Sequence, residues 1–179
     1  MGLFARLKDM FQTKDYTAMT AEELLQLIDP ELKFAVAERL YKKYGYEAKN
    51  SQNNILRNAT ETQKIFYVLY RYEMMITLNE KRGEYSLEKN QAIIPLLIPA
   101  MEKIGAIENK ELLRHYADKY NLYLDDLNIE QFNRLKKIKN ENKQSPIEEF
   151  EEAYYELMVK NDEWETCLMS YIRQHIEEL

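Results

Sequence analysis

Thr60-Glu61-Thr62-Gln63-Lys64-Ile65-Phe66-Tyr67-Val68-Leu69-Tyr70-Arg71-Tyr72-Glu73-Met74-Met75-Ile76-Thr77 is the stretch on which the fold turns. Taken alone, Ile65 to Tyr70 has the composition of a strand, a run of β-branched and aromatic residues. Two features override that reading. Thr60 and Gln63 have the spacing of a capping box, in which each side chain satisfies a backbone donor of the other at a helix start. The apolar character also continues past Met74 and Met75, longer than a strand usually runs. As a helix, the segment places Ile65, Leu69, Tyr72 and Ile76 on one face, with Val68 and Met75 beside it. An apolar surface that wide predicts a central, buried helix.

Working outward, similar signals recur. Thr20-Ala21-Glu22-Glu23 is another capping box, opening a helix through Leu24, Leu27 and Ile28. Asp29-Pro30 restarts the helix, with Asp29 read as N-cap and Pro30 at the first helical position. Leu32, Val36 and Leu40 form its stripe, and Gly45 closes it. Lys49 to Asn58 is polar and reads as a loop. Asn79 to Ser86 reads as a turn around Gly83. Leu87 to Ile104 is apolar, but Pro95 and Pro99 each remove a backbone donor, so a kink or break is expected. Gly105 ends that segment. Lys110 to Tyr120 is a helix carrying Leu112, Leu113, Tyr116 and Ala117. Ile129 to Lys139 is a weaker, basic one, followed by a polar linker, 140–144. Ser145-Pro146 opens a helix to about Lys160, with Ile147, Phe150, Tyr154, Leu157 and Met158 facing in. Asp162-Glu163-Trp164-Glu165 caps the last helix, whose stripe is Trp164, Leu168, Tyr171, Ile172 and Ile176. Residues 1–15 include a short amphipathic segment, with Leu3, Phe4, Leu7, Met10 and Phe11 on one side. It reads as a docking helix.

Composition agrees. Gly and Pro number only four each in 179 residues. Sheet-rich folds consume both in tight turns, so their scarcity favours helices. The fold expected is all-α, a compact bundle of about seven to nine helices in a single domain, 16–179. Within it, 145–179 forms an acidic helical pair. The single cysteine, Cys167, precludes an intramolecular disulfide and suits a reducing compartment. The longest apolar run, Ala92 to Met101, is too short to span a membrane and contains two prolines. A cytoplasmic protein with no membrane association is expected.

The chemistry sought is largely missing. No two glycines have the spacing of a phosphate-binding loop, and zinc-ligand spacings are absent. Glu111-Leu112-Leu113-Arg114-His115 misses the Glu-x-x-His spacing of a di-iron bundle by one residue. His115, His175 and Cys167 read as structural or solvated, and the fourteen tyrosines as edges of the core. No catalytic residue, metal site or cofactor is expected, and the chain reads as a non-enzymatic binding protein.

Charge is the one uneven property. The net charge is −6. From Ser145 to Leu179 there are ten acidic and two basic residues, a net charge of −8, so the rest of the chain is slightly basic. Glu148, Glu152 and Glu156 recur every four residues, which on a helix aligns their carboxylates in a row with a pitch of about 6 Å. Such a row is often only a solvated outer face, with acids favoured at helix N-termini. It also has the regularity of duplex phosphates.

The 60–77 stretch, Met101-Glu102-Lys103-Ile104-Gly105-Ala106, and Phe150 through Tyr171 to Leu179 together resemble the bacterial DNA-mimic protein family in its C-terminal-domain form. The resemblance spans most of 60–179 and extends less closely over 20–45. It implies a compact all-helical fold, often dimeric. It also implies a negative surface that imitates duplex DNA and captures DNA-binding proteins such as repressors or nucleoid proteins. This chain departs from the family in one loop. Lys81-Arg82-Gly83-Glu84-Tyr85 has one glycine where the family usually has two adjacent glycines followed by an aromatic.

The function expected is therefore a protein-binding module, a DNA mimic that occupies the basic surface of a DNA-binding protein through Glu148, Glu149, Glu152, Glu156, Asp162 and Glu163. The alternative is an immunity or anti-defence protein that blocks a single toxin or nuclease. The partner is a basic protein in both readings, with no direct nucleic-acid contact, and a homodimer is compatible with either.

Overall fold

The computed structural model describes residues 14–45, 51–77, 87–122, 124, 134–135, 137–138 and 145–179. The amphipathic segment within 1–15, the turn at 79–86 with its single-glycine loop, and the linker 140–144 lie wholly or mainly outside them. Most of 129–139 does too. Among the described residues the chain is all-α, with no strand and eight α-helices. These are α1 (Ala21–Leu25), α2 (Asp29–Tyr44), α3 (Ser51–Asn58), α4 (Glu61–Thr77), α5 (Ile94–Ile104), α6 (Ile107–Lys119), α7 (Pro146–Lys160) and α8 (Glu163–Gln174). A 3-10 segment, Leu87–Ile93, precedes α5. The helices form two compact units, Met1–Tyr70 with Met169–Leu179, and Arg71–Leu168.

The capping boxes are formed. Thr20 and Glu23 satisfy each other's backbone N–H at 3.2 and 2.7 Å. Thr60 and Gln63 do the same at 3.3 Å each way. Two local expectations are corrected. The N-cap of α2 is Ile28, which has no capping side chain, and Asp29 and Pro30 lie inside the helix. Asp29 instead accepts from Arg173 Nη2 at 2.6 Å. The polar 49–58 stretch is not all loop, because α3 forms over Ser51–Asn58. Its Asn-rich sequence has weak helix propensity, and burial overrides that: Ile55 is fully enclosed, and its carbonyl accepts Ala59 N–H at 3.0 Å. The expected break near Pro95 falls just before it. Asn90 leaves helical geometry, α5 begins at Ile94 with Pro95 in its first turn, and Pro99 remains inside the helix on an exposed side.

In the first unit, Tyr16, Leu24, Leu32, Val36, Leu40, Ile55, Phe66, Leu69 and Ile172 form the core. Arg173, in the last turn of α8, donates to the carbonyls of Leu25 (3.1 Å) and Leu27 (3.4 Å) as well as to Asp29. One guanidinium thus satisfies the end of α1 and pairs with the start of α2. The chain end is held similarly. Gln63 Nε2 donates to Glu178 O at 2.7 Å, Thr62 Oγ1 donates to Glu178 Oε2 at 2.7 Å, and Leu179 is buried.

In the second unit, an aromatic cluster forms the core. The Tyr72 ring lies 5.3 Å from Trp164, 5.8 Å from Tyr154 and 6.5 Å from Phe150, and Phe150 lies 5.3 Å from Tyr116. These separations suit tilted and edge-on ring contacts. Trp164 Nε1 donates to Glu73 Oε2 at 3.4 Å, and Arg71 donates to Asn90 Oδ1 from Nε (3.1 Å) and Nη2 (2.7 Å). Gly105 closes α5 in the left-handed region at φ 80°, where a Cβ would be strained although nothing crowds it.

The Tyr72 and Tyr154 hydroxyls are buried and have no hydrogen-bond partner among the described residues, and burial pushes both far above the usual tyrosine range. Removing such a hydroxyl relieves an uncompensated desolvation. Tyr72→Phe is therefore expected to leave stability unchanged or to raise it by up to about 1 kcal/mol, measured by urea unfolding.

A pH effect follows from the chain end. The Thr62 hydroxyl, then His175, hold the Glu178 carboxyl below its ordinary 4.5. A carboxyl lowered by folding stabilises above its unfolded value and loses that contribution as pH falls through the folded value. Thr62→Ala should therefore be less stable than the parent at about pH 6, and the gap should shrink by about pH 3. Thermal unfolding of both proteins across that range checks this, and a constant gap would contradict it.

Candidate protein-binding face

The acidic C-terminal segment resolves into distinct roles once α7 and α8 are in place. Helix α7 starts at Ser145, whose backbone N–H donates to Glu148 Oε2 at 2.6 Å while Glu148 N–H donates to Ser145 Oγ at 3.3 Å. That capping box, with Pro146 at the first position, sets the phase of the helix. Tyr154 is fully buried, and Phe150 and Leu157 are partly so. The opposite side carries Glu148, Glu152 and Glu156, all exposed. Their spacing gives a carboxylate row with a pitch of about 6 Å. Glu156 also meets Lys160 at 3.6 Å, with both side chains largely in water, a pair worth only about 0.5 kcal/mol.

Glu149 sits one position round the helix and points elsewhere. Its carboxylate takes Lys119 Nζ and the Tyr120 hydroxyl, and its backbone carbonyl accepts from Tyr116 OH at 3.3 Å. Lys119 also lies 5.8 Å from the Tyr116 ring centre and 5.4 Å from that of Tyr120. Glu149 therefore ties α7 to α6. The hydrogen bond to Glu149 raises the Lys119 ammonium, while burial and then Glu149 raise the Tyr120 hydroxyl.

Glu163, the first residue of α8, is also committed internally. Its carboxylate accepts the backbone N–H of Ile107 (3.1 Å), Glu108 (3.1 Å to Oε1, 3.0 Å to Oε2) and Asn109 (3.3 Å), and the Asn109 side-chain amide at 3.3 Å. Helix α6 needs this, because its own N-cap, Ala106, has no side chain to offer. Glu163 thus caps another helix, where the dipole favours a negative charge. Asn161 reinforces the junction by donating from Nδ2 to Glu108 Oε2 at 2.6 Å. Asp162 is exposed, and its backbone carbonyl accepts Thr166 N–H at 2.9 Å as α8 begins.

Of the six acids expected to meet a partner, Glu148, Glu152, Glu156 and Asp162 are exposed, Glu148 while also closing the capping box of α7, whereas Glu149 and Glu163 are half-buried and hold neighbouring helices. The sequence held one hint of this. Ala106 follows a helix-ending glycine and opens a helix without a capping residue, so a cap from elsewhere was needed, but nothing local says that Glu163 supplies it. The acids of α5 and α6 lie among bases. Glu102 is 3.1 Å from Arg114 and 3.4 Å from Lys110, and Glu111 is 3.4 Å from Arg114 and 3.5 Å from Lys110. That surface is of mixed charge.

His115 is exposed beside Tyr116, and His175 meets Glu178 at 3.1 Å. Burial, then Glu163, pushes the Cys167 thiol up, which disfavours thiolate. Among the described residues, no group of three or more His, Cys, Asp or Glu side chains is placed to hold a metal ion, and no helix is long and apolar enough to cross a membrane.

Residues 57–175 match the model of a family described as DMP19-like protein. The match covers more than half of the chain, which belongs to this family of DNA-mimic proteins. No curated protein and no solved structure matches the chain.

The two uses of glutamate should separate by mutation. Glu163→Ala uncaps α6 and is expected to cost about 1–2 kcal/mol. Glu156→Ala, at an exposed pair, should change stability by less than about 0.5 kcal/mol. Chemical denaturation of both variants checks this, and equal effects would show that Glu163 does not act as the cap.

Proposed function

We propose that the protein is a DNA mimic whose α7 face occupies the basic DNA-binding surface of a DNA-binding protein. The observation that carries this reading is the exposed row of Glu148, Glu152 and Glu156, supported by membership of the DMP19-like family. Phosphates along one DNA strand advance about 3.4 Å each, so a carboxylate about every 6 Å approximates every second phosphate. A groove lined with Lys and Arg to neutralise phosphates meets comparable charge on this helix. The rigid helix presents it without the ordering cost a flexible acidic tail would incur. Asp162, exposed where α8 begins, extends the charge beyond the end of α7. The protein acts in this reading by competition and without catalysis, in the cytoplasm where such partners work.

The test is affinity purification from the native cell with the full chain, at low and high salt, with duplex DNA as competitor. A DNA-binding protein should be retained at about 0.1 M salt, where exposed charges are felt over about 10 Å, and released as salt rises. It should also be displaced by duplex DNA. The variant E148Q/E152K/E156K should lose it, since glutamine at 148 preserves the capping box while the row changes sign. Retention that ignores salt, DNA and this variant would overturn the proposal.

A further inference from the structure

We infer that Tyr155 is the aromatic anchor of the α7 face, and that it selects a partner presenting arginine rather than lysine. This rests on the reading of α7 as the partner-binding face. Exposed carboxylates are well hydrated, and they govern the rate and orientation of encounter more than the strength of the final complex. Tight interfaces add a few aromatic or arginine side chains that lose their water on binding. A single exposed aromatic is ordinary on a protein surface. Tyr155 differs in its position and in its support.

Among the described residues the large exposed hydrophobics are Ile28, Leu96, Ile107 and Tyr155, and Tyr155 is the one on α7. It is 45 % exposed. It follows Glu152 by three positions, so on the helix surface it stands beside that member of the carboxylate row. Its hydroxyl donates to Thr77 O at 3.4 Å, and its ring centre lies 6.4 Å from that of the buried Tyr154 at 75°. The ring is therefore held at its tip and along one edge before any partner arrives, which lowers the entropic cost of binding.

The occupant is fixed by charge complementarity. An acidic row recruits a cation, and a neighbouring aromatic ring adds attraction for one. Guanidinium satisfies both at once, because its planar fork matches a carboxylate and its face stacks on a ring, whereas ammonium is a compact, strongly hydrated point charge. A basic partner that reaches this face with arginine gains from Glu152 and from Tyr155 together.

The probes are oligoarginine and oligolysine peptides of equal length, titrated calorimetrically into the full chain, its Y155L and Y155F variants, and E148Q/E152K/E156K. Y155L should lower the ratio of oligoarginine to oligolysine affinity about two- to five-fold. Y155F keeps the ring and should keep the ratio. An unchanged ratio in Y155L, or a loss in Y155F equal to that in Y155L, would overturn the inference while leaving the acidic face intact. Affinities that E148Q/E152K/E156K does not weaken would overturn the reading of the face itself, and the inference with it. Far-ultraviolet circular dichroism of each variant confirms that the comparison is between folded proteins.

Discussion

Helix α4 is enclosed on nearly every side, and that enclosure sets the terms for both units. Every residue from Ile65 to Glu73 is buried, and Gln63 is 3 % exposed. A buried polar side chain without a partner costs about 1–3 kcal/mol, and the charged and amide side chains buried on this helix, unlike the Tyr72 hydroxyl, each find one inside the protein. Gln63 accepts from Tyr44 at 2.7 Å and donates to Glu178 O, holding the end of α2 and the chain terminus in the first unit. Arg71 meets Asn90 and Glu73 meets Trp164 in the second. Apolar burial supplies most of the stabilisation, while these few polar contacts determine which neighbours pack where.

The same economy governs the acidic end of the chain. Glu149 holds α6 against α7, Glu163 caps the start of α6, and Glu178 holds the last residues against α4. Carboxylates do these jobs well because they accept several hydrogen bonds and suit the positive end of a helix dipole. The fold turns Glu148, Glu152, Glu156 and Asp162 outward. The neighbouring acids Glu102 and Glu111 are offset by Lys110 and Arg114. The exposed acidic charge is therefore narrower than the composition of 145–179 suggests, and it is carried largely on a helix.

Much of the fold was legible in the chain because helix starts and apolar stripes are local. The boxes at Thr20 and Thr60 need only residues three apart, and both formed as read. The stripe of α4 named residues that are buried. The reading failed where burial overruled propensity, as in Ser51–Asn58, where one enclosed isoleucine sustains a helix that polar neighbours disguise. It failed again at Asp29, whose carboxylate pairs with Arg173, distant in sequence. The exposed row of α7 was legible for the same local reason, a four-residue period.

By itself, then, the sequence determined most of the helices, their apolar faces, the acidic bias of the last 35 residues and a recognisable family pattern, all properties of neighbours along the chain. Only the tertiary structure decided which glutamates hold neighbouring helices and which face outward. Whether a carboxylate meets water, a lysine or the open end of another helix depends on which elements pack beside it. Glu163 lies 54 to 56 positions from the amides it caps, a separation that no local pattern encodes.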